Sequence, residues 1–503
     1  MTGIGGDVFY NPVQVPNRDL SILILNVFGE QWEREAKSQS PAPVTWKSWG
    51  SQGLDQNKPL PRKEYKILEA LSATGLRSIR YAKEISHPKQ MDKVVICNDM
   101  EFAAVESIKR HTASNAPYPA KMRIEPSHAD AIELMMRKNI GQENERFQAI
   151  DLDPYGAPSP FLDSAMQCIE NGGLMCVTAT DTAVLCGAGQ EKCFQKYGYQ
   201  ANHKPYQQEM GIRIVLASMH DHANRHGKYI VPLVSLRLDF YVRVFVRVYD
   251  GKPQSGCLSH VLQSRVTDSF KLLPVDSQNK LVPGKLFEEN VQAGELGGFH
   301  LAGPIWSKPM FNFAFVDACL AKLKGNREQM MLGYAERIQG ILSAARLELL
   351  DAPLYYSVNS LCNLLHCVNP PLEKFQAALM NQGYETSQSH QEPNVIKTNA
   401  PNDVIWDILR CWVQKHPISQ KRLESQPDFT TMNQLLKCEP KFQANFDSPQ
   451  ALRERINSRK SGGVDAPKWF VQNPEKNWGP KSRAHGGKTK KADEEEPNKK
   501  QKN

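Results

Sequence analysis

Short apolar runs that stop at small or acidic residues recur through the first half of the chain. Tyr65 to Leu71 ends in Ser72-Ala73-Thr74-Gly75, a turn of small residues from which a helix opens near Gly75. Val94-Val95-Ile96-Cys97 predicts a second strand ending in Asn98-Asp99-Met100-Glu101, and a third unit closes at His128-Ala129-Asp130-Ala131. Ala149-Ile150-Asp151-Leu152 predicts a fourth strand running into Asp153-Pro154-Tyr155-Gly156. Gly172 to Ala179 predicts a fifth, followed by Thr180-Asp181. The alternation implies an α/β domain with an open sheet, whose ligands gather at the carboxyl ends of the strands. Leu20 to Phe28 reads as a helix and Gln39 to Arg62, rich in Pro, Ser and Gly, as a loop insertion.

From Ile230 to Tyr249 the pattern alternates with period two, Leu236 to Val248 on one face and Arg237 to Tyr249 on the other. One strand with a single buried face is expected. A basic and aromatic face touching RNA is the sharper alternative. Beyond Pro309 the pattern turns helical: Arg327 to Leu350, Tyr355 to Val368, Pro371 to Gln382 and Val404 to Gln414 predict a winged-helix-like bundle. From Lys460 onward Gly, Pro, Lys and Glu dominate and a disordered tail is expected.

Length and charge sharpen this outline. A chain of 503 residues implies two or three domains. No apolar run approaches the roughly 20 residues of a membrane span. Eleven cysteines without a Cys-x-x-Cys pair point to reduced thiols in an intracellular protein. From Arg459 to the end there are 12 Lys+Arg against 6 Asp+Glu, so most of the net +8 lies in the tail. Lys488-Thr489-Lys490-Lys491 and Lys499-Lys500-Gln501-Lys502 read either as a nuclear address or as non-specific RNA contacts. Trp469, Phe470 and Trp478 read as a tether for the tail. Met1 to Gly6 carries neither a secretory core nor an Arg-rich presequence, so the start reads as trimmed or missing. The nucleus is the expected compartment, with cytoplasm and mitochondrion as alternatives.

The carboxylates at the strand ends carry the candidate chemistry. An acid after the second strand is placed for ribose hydroxyls, and one after the third for an adenine amine. Asp153-Pro154-Tyr155 is either a plain strand-end turn or a reactive loop, and it resembles the Asp/Asn-Pro-Pro-aromatic loop of methyltransferases that act on nucleobase amines. An aromatic amine is a poor nucleophile, so a carboxylate must accept its N–H, while an aromatic ring stacks on the extruded base. The cluster Asn11, Asn17, Arg18 and Asp19 has a bland reading as a turn and helix cap.

Taken together, Phe9-Tyr10-Asn11-Pro12-Val13-Gln14 with Asn17-Arg18-Asp19, Leu71 to Arg77, Asp153 to Pro158, Thr178 to Gly187, Pro232 to Val248, Ala302 to Trp306 and Ile396 to Pro401 resemble the tRNA (guanine-N2)-dimethyltransferase family over residues 8 to about 412. The resemblance implies a Rossmann-like S-adenosylmethionine-dependent methyltransferase domain (residues 1–250), a mostly helical tRNA-binding domain (251–460) and a basic tail (461–503). The acceptor would be guanine 26, at the hinge between the D-arm and the anticodon arm. It implies Asp153, Pro154 and Tyr155 as catalytic residues. Arg18 and Arg77 would meet the methionine end of the cofactor, Asp99 the ribose, and Asp130 with Ala131 the adenine. Family members often carry two cysteine pairs for zinc between Gly256 and Ala302. Only Cys257 stands there, with His260 and His300, so no metal is expected. A monomer is expected. An amino-methyltransferase for another base or RNA, and a non-catalytic tRNA-binding protein or chaperone, are the rival readings.

Overall fold

A computed structural model of the chain describes residues 14–37, 64–140, 145–252, 254, 256–275, 291–325, 332–425, 427 and 429–461. The motif Phe9 to Val13 and the expected insertion 39–62, but for its boundary, fall outside them. The first helix, α1 (Val15–Lys37), extends beyond the predicted segment at both ends. Residues 16–29 are all buried, the apolar ones from Leu20 to Phe28 in the core and Asn17, Arg18, Asp19, Ser21 and Asn26 as buried polar groups.

Five parallel strands follow the apolar runs: β1 (Glu64–Glu69), β2 (Asp92–Asp99), β3 (Met122–His128), β4 (Phe147–Leu152) and β5 (Ile169–Ala179). They alternate with α2 (Leu76–Glu84), α3 (Phe102–Ser114), α4 (Ala131–Ile140) and α5 (Ser159–Cys168). The first turn depends on Gly75, at φ +73°, where a Cβ would meet Ile108 at 3.1 Å and Cys97 Sγ at 3.4 Å. After α6 (Thr182–Leu185), α7 (Gln190–Tyr197) and α8 (Gln207–Arg225), the strands β6 (Lys228–Leu238) and β7 (Tyr241–Asp250) complete the sheet. Its order is β3-β2-β1-β4-β5-β7-β6, with β7 antiparallel to both neighbours.

The single strand expected across Ile230 to Tyr249 is therefore a hairpin. The chain reverses at Asp239-Phe240, with Asp239 at φ +50°, and Leu238 pairs with Tyr241. A two-residue turn sets Leu238 opposite Tyr241 and Leu236 opposite Arg243 on one face, so the phase inverts at the turn; the sequence keeps its period because both faces of the two strands are buried. The exposed basic face is corrected as well: Arg243 and Arg247 are 0% and 4% exposed. Their guanidiniums bond Ser21 and Glu35 of α1 on one side of the sheet, while α8 packs against β6 and β7.

A second, three-stranded sheet of β8 (Leu258–Ser264), β9 (Phe270–Pro274) and β10 (Phe299–Trp306) is followed by α9 (Phe313–Gly325) and α10 (Ala335–Ala345). The long helix expected over Arg327 to Leu350 is thus cut to the shorter α10 among the described residues. Next come β11 (Tyr356–Ser357), α11 (Val358–Leu365), α12 (Leu372–Asn381), β12 (Thr386–Ser387) and β13 (Val395–Thr398). The three strands order as β11-β13-β12 against the helices, the winged-helix-like unit expected. Helices α13 (Asn402–Lys415), α14 (Gln420–Glu424), α15 (Thr431–Lys437) and α16 (Gln450–Ser461) close the described chain. The tail beyond Ser461 lies outside the described residues. Among those residues no helix is long and apolar enough to cross a membrane.

The buried clusters do not part at residue 250. One runs from Leu20 through Val248 to Trp306, Leu342 and Val395, and the second gathers Leu361, Phe375, Trp406 and Leu435. A buried ionic knot ties the two halves. Lys397 of β13 lies 2.9 Å from Glu209 of α8 and 3.2 Å from Glu348, while Arg213 holds Glu209 at 2.8 Å. Removing any one member would leave an unpaired charge in the interior.

Candidate active site

All six residues of β4 are buried, and the strand delivers two carboxylates to the end of the sheet. Alternation places Asp151 and Asp153 on one face, and Arg77 at the start of α2 reaches both. Its Nη1 lies 3.2 Å from Asp151 Oδ2, its Nη2 bonds Asp153 Oδ2, and its Nε lies 3.6 Å from Glu69. From the other side Arg243 of β7 grips Asp151 with two bonds, of 2.8 and 2.7 Å. The same guanidinium donates to Thr178 Oγ1 and Ser21 Oγ, both at 2.8 Å, and the Tyr81 hydroxyl also donates to Asp151.

Burial alone would raise the Asp151 carboxyl, but Arg243 and Arg77 override it and hold it down at about 2. Glu69 goes the other way: burial lifts it to about 7 against the pull of Arg77 and Ser78. Two guanidiniums are therefore matched chiefly by two aspartates, and the buried hub approaches neutrality.

Asp153 stands at the mouth of this hub, with 16% of its side chain exposed. Arg77 and the Asn17 amide, at 3.5 Å, both donate to Oδ2, and Oδ1 has no protein partner among the described residues. Pro154 is buried, whereas Tyr155 is 53% exposed. Gly156, at φ +87°, turns the loop so that its N–H donates to Thr180 Oγ1 at 2.7 Å and its carbonyl accepts from Thr180 N at 3.0 Å. These two bonds pin the loop to the end of β5. Asp181, next in sequence, accepts from Lys196 and the Tyr197 hydroxyl of α7 at 2.9 and 2.6 Å.

The remaining expected residues form a second group, two strands away. Asp99 at the end of β2 accepts from the N–H groups of Ala73 (2.8 Å) and Glu101 (3.0 Å), so it joins the small-residue turn to the next strand end. Asp130 caps α4 by accepting from Ile132 and Glu133 at 2.8 and 3.1 Å, and Ala131 is the buried first residue of that helix. Arg18 is buried in the first turn of α1, next in sequence to Asn17.

Sequence reasoning missed two parts of the site. Met100 and Phe102 are 61% and 66% exposed beside Asp99, with the Phe102 ring set edge-on to His128. Large apolar side chains straight after a strand-end acid were the available signal, since a plain solvated loop would be polar there. Arg243 is the other part, concealed by the reading of its strand as half exposed. His260 and His300 do not join Cys257. The register Val261↔Ala302 and Gln263↔His300 puts the two imidazoles on opposite faces of the small sheet.

A sheet ordered in this way, with its last strand reversed, acids at the ends of β2 and β3 and an Asp-Pro-Tyr loop after β4, defines an S-adenosylmethionine-dependent methyltransferase. The family model for N2,N2-dimethylguanosine tRNA methyltransferases matches residues 4–410, and the chain belongs to that family. The tRNA (guanine(26)-N(2))-dimethyltransferase of Drosophila melanogaster is 40% identical over 95% of this chain and 85% of its own length. The human protein of the same name is 36% identical over 96% of this chain and 76% of its own length. The solved complex of Trm1 from Pyrococcus horikoshii with S-adenosyl-L-methionine superposes with a TM-score of 0.62 at 26% identity, over 79% of this chain and 93% of that one.

Proposed function

We infer that this chain methylates the exocyclic N2 of guanine 26 in tRNA, using S-adenosylmethionine and giving N2-methyl- and then N2,N2-dimethylguanosine. One observation supports it above the others: Asp153 is held by one oxygen while its other oxygen has no protein partner among the described residues, beside an exposed Tyr155. The residues suit the cofactor. Asp99 would hold the ribose hydroxyls, Asp130 and Ala131 the adenine, and Met100 with Phe102 offers an apolar surface for the purine. Arg18 would meet the carboxylate of the methionine end. Arg77, expected there too, has its guanidinium committed to Glu69, Asp151 and Asp153, so we read it as the group that orients Asp153.

When bound, the cofactor supplies a methyl group already activated by its sulfonium, so the protein contributes position and proton transfer. Tyr155 stacks on the base once it leaves the RNA stack. Asp153 Oδ1 and the Pro154 carbonyl accept the two amine N–H groups and draw the nitrogen lone pair toward the methyl. As the N–C bond forms and the C–S bond breaks, a proton passes to Asp153 and on to solvent, and the neutral thioether departs. The monomethylated base keeps one N–H, enough for Asp153 to act a second time.

Nucleoside mass spectrometry of tRNA incubated with the protein and the cofactor tests this reading. Methyl groups on guanine 26, absent from a transcript with adenine there, are expected. Binding of an unmodified tRNA without any methylation would favour a non-catalytic tRNA-binding role. Asp99→Ala is expected to weaken cofactor binding by about 1.5–3 kcal/mol, the scale of hydrogen bonds to a charged acceptor, with little change for tRNA. Separate titrations of the two ligands decide it, and equal losses would remove Asp99 from the cofactor site.

The basic tail is proposed to add phosphate contacts, and the protein to act as a monomer in the nucleus. Deleting residues 461–503 is then expected to weaken tRNA binding and flatten its salt dependence, while bound tRNA still turns over. An unchanged salt slope would show that the tail does not touch RNA.

A further inference from the structure

Asn17, first read as a turn or cap residue, occupies a corner of the site that its neighbours leave incomplete. It is wholly buried, and its Nδ2 faces Gln14 Oε1 at 2.7 Å, with Asp153 Oδ2 and Thr178 Oγ1 each at 3.5 Å. The Asp153 carboxylate can only accept, which orients the amide with Nδ2 toward it. The Asn17 Oδ1 is closed off from water and has no donor among the described residues. A buried acceptor without a donor is costly, and one beside a reacting carboxylate is accounted for by a donor that arrives with the substrate.

Guanine is the base that presents two donor groups side by side, N1–H and the N2 amine. A carboxylate free at both oxygens would accept from both. Here Arg77 and Asn17 occupy Oδ2 of Asp153, so only Oδ1 is left for the amine. The neighbouring N1–H then needs another acceptor. We propose that Asn17 Oδ1 accepts the N1–H of the target guanine, which makes Asn17 a specificity-determining residue; the proposal rests on the guanine-N2 reading above. Adenine, whose N1 carries no proton, would set a lone pair against this oxygen and leave it unsatisfied. Entry of the base must open this corner to reach Oδ1.

The test uses tRNA carrying guanine or 2-aminopurine at position 26, followed by single-turnover methylation at saturating cofactor. 2-Aminopurine keeps the 2-amino group but has an unprotonated N1. Asn17→Ala is expected to slow guanine about tenfold and 2-aminopurine less than about twofold, so the preference for guanine falls by a similar factor. Asn17→Asp keeps the shape and an acceptor oxygen, and is expected to retain the preference whatever its absolute rate. Cofactor titration checks that both variants are folded. Equal slowing of the two bases, slowing of neither, or loss of the preference in Asn17→Asp would overturn the proposal. Absence of methyl transfer to guanine 26 by the unaltered protein would instead overturn the functional reading, and this inference with it.

Discussion

Asp153→Ala is expected to lose about 10²–10⁴-fold in the single-turnover methylation rate while binding cofactor and tRNA nearly as well as the unaltered protein. In the proposed reaction the carboxylate both receives the amine N–H and takes up the proton, through Oδ1. Asp153→Asn retains an acceptor oxygen without the charge, so its rate should fall between those of the unaltered protein and Asp153→Ala. Tyr155, exposed beside it, can still stack on the base in both variants. Near-normal methylation by Asp153→Ala would move the chemistry to another group.

Asp151, two residues earlier, should behave differently. It is 1% exposed between Arg77 and Arg243, and removing it leaves the buried Arg243 guanidinium without its carboxylate, while Arg77 keeps Asp153 and Glu69. Asp151→Ala is expected to cost about 3–5 kcal/mol of stability, the range for breaking a buried pair by deleting one partner. Its activity should fall in step with the folded fraction in denaturant titrations, a signature that Asp153→Ala does not share. The pH dependence follows from the depressed carboxyl. Held at about 2 against an ordinary 3.8, Asp151 contributes stability that is present above pH 4 and is lost as the pH falls through 2. Between those limits the unaltered protein should lose stability faster than Asp151→Asn, in which that position no longer titrates. Parallel acid unfolding curves would show that Asp151 is not the ionised centre of the hub.

The parts of this site that could be read from the sequence are those encoded locally. Apolar runs ending in Asp99 and Asp153 announce strands and their carboxyl ends together, because inner strands of a parallel sheet are buried on both faces and read as continuous apolar stretches, whereas the edge strand before Asp130 is mostly polar. The winged-helix-like unit was legible for a similar reason: its helices carry their own apolar stripes. The hairpin at Asp239-Phe240 was not, since both faces of its strands are buried and the apolar period passes through the turn although the faces exchange. The hub was not legible either. Arg77 meets Asp151 across 74 positions and Arg243 meets Ser21 across 222, separations over which no local pattern extends. Asn17 looked like a cap because caps and ligand acceptors draw on the same residue types.

The hairpin also sets a timetable for biosynthesis. Asp151 is translated 92 residues ahead of Arg243, its bidentate partner, and Ser21 leads that arginine by 222. At roughly 5–20 residues per second, the ribosome has added Asp151 on the order of ten seconds before it reaches the arginine that neutralises it. During that interval the nascent chain holds β4 and the reactive loop but lacks β7, the strand that brings the second guanidinium. A polypeptide arrested before Arg243 therefore carries every residue proposed to face the cofactor around an incomplete ionic centre. On that proposal, competence for catalysis arrives late, with a strand that holds none of those residues.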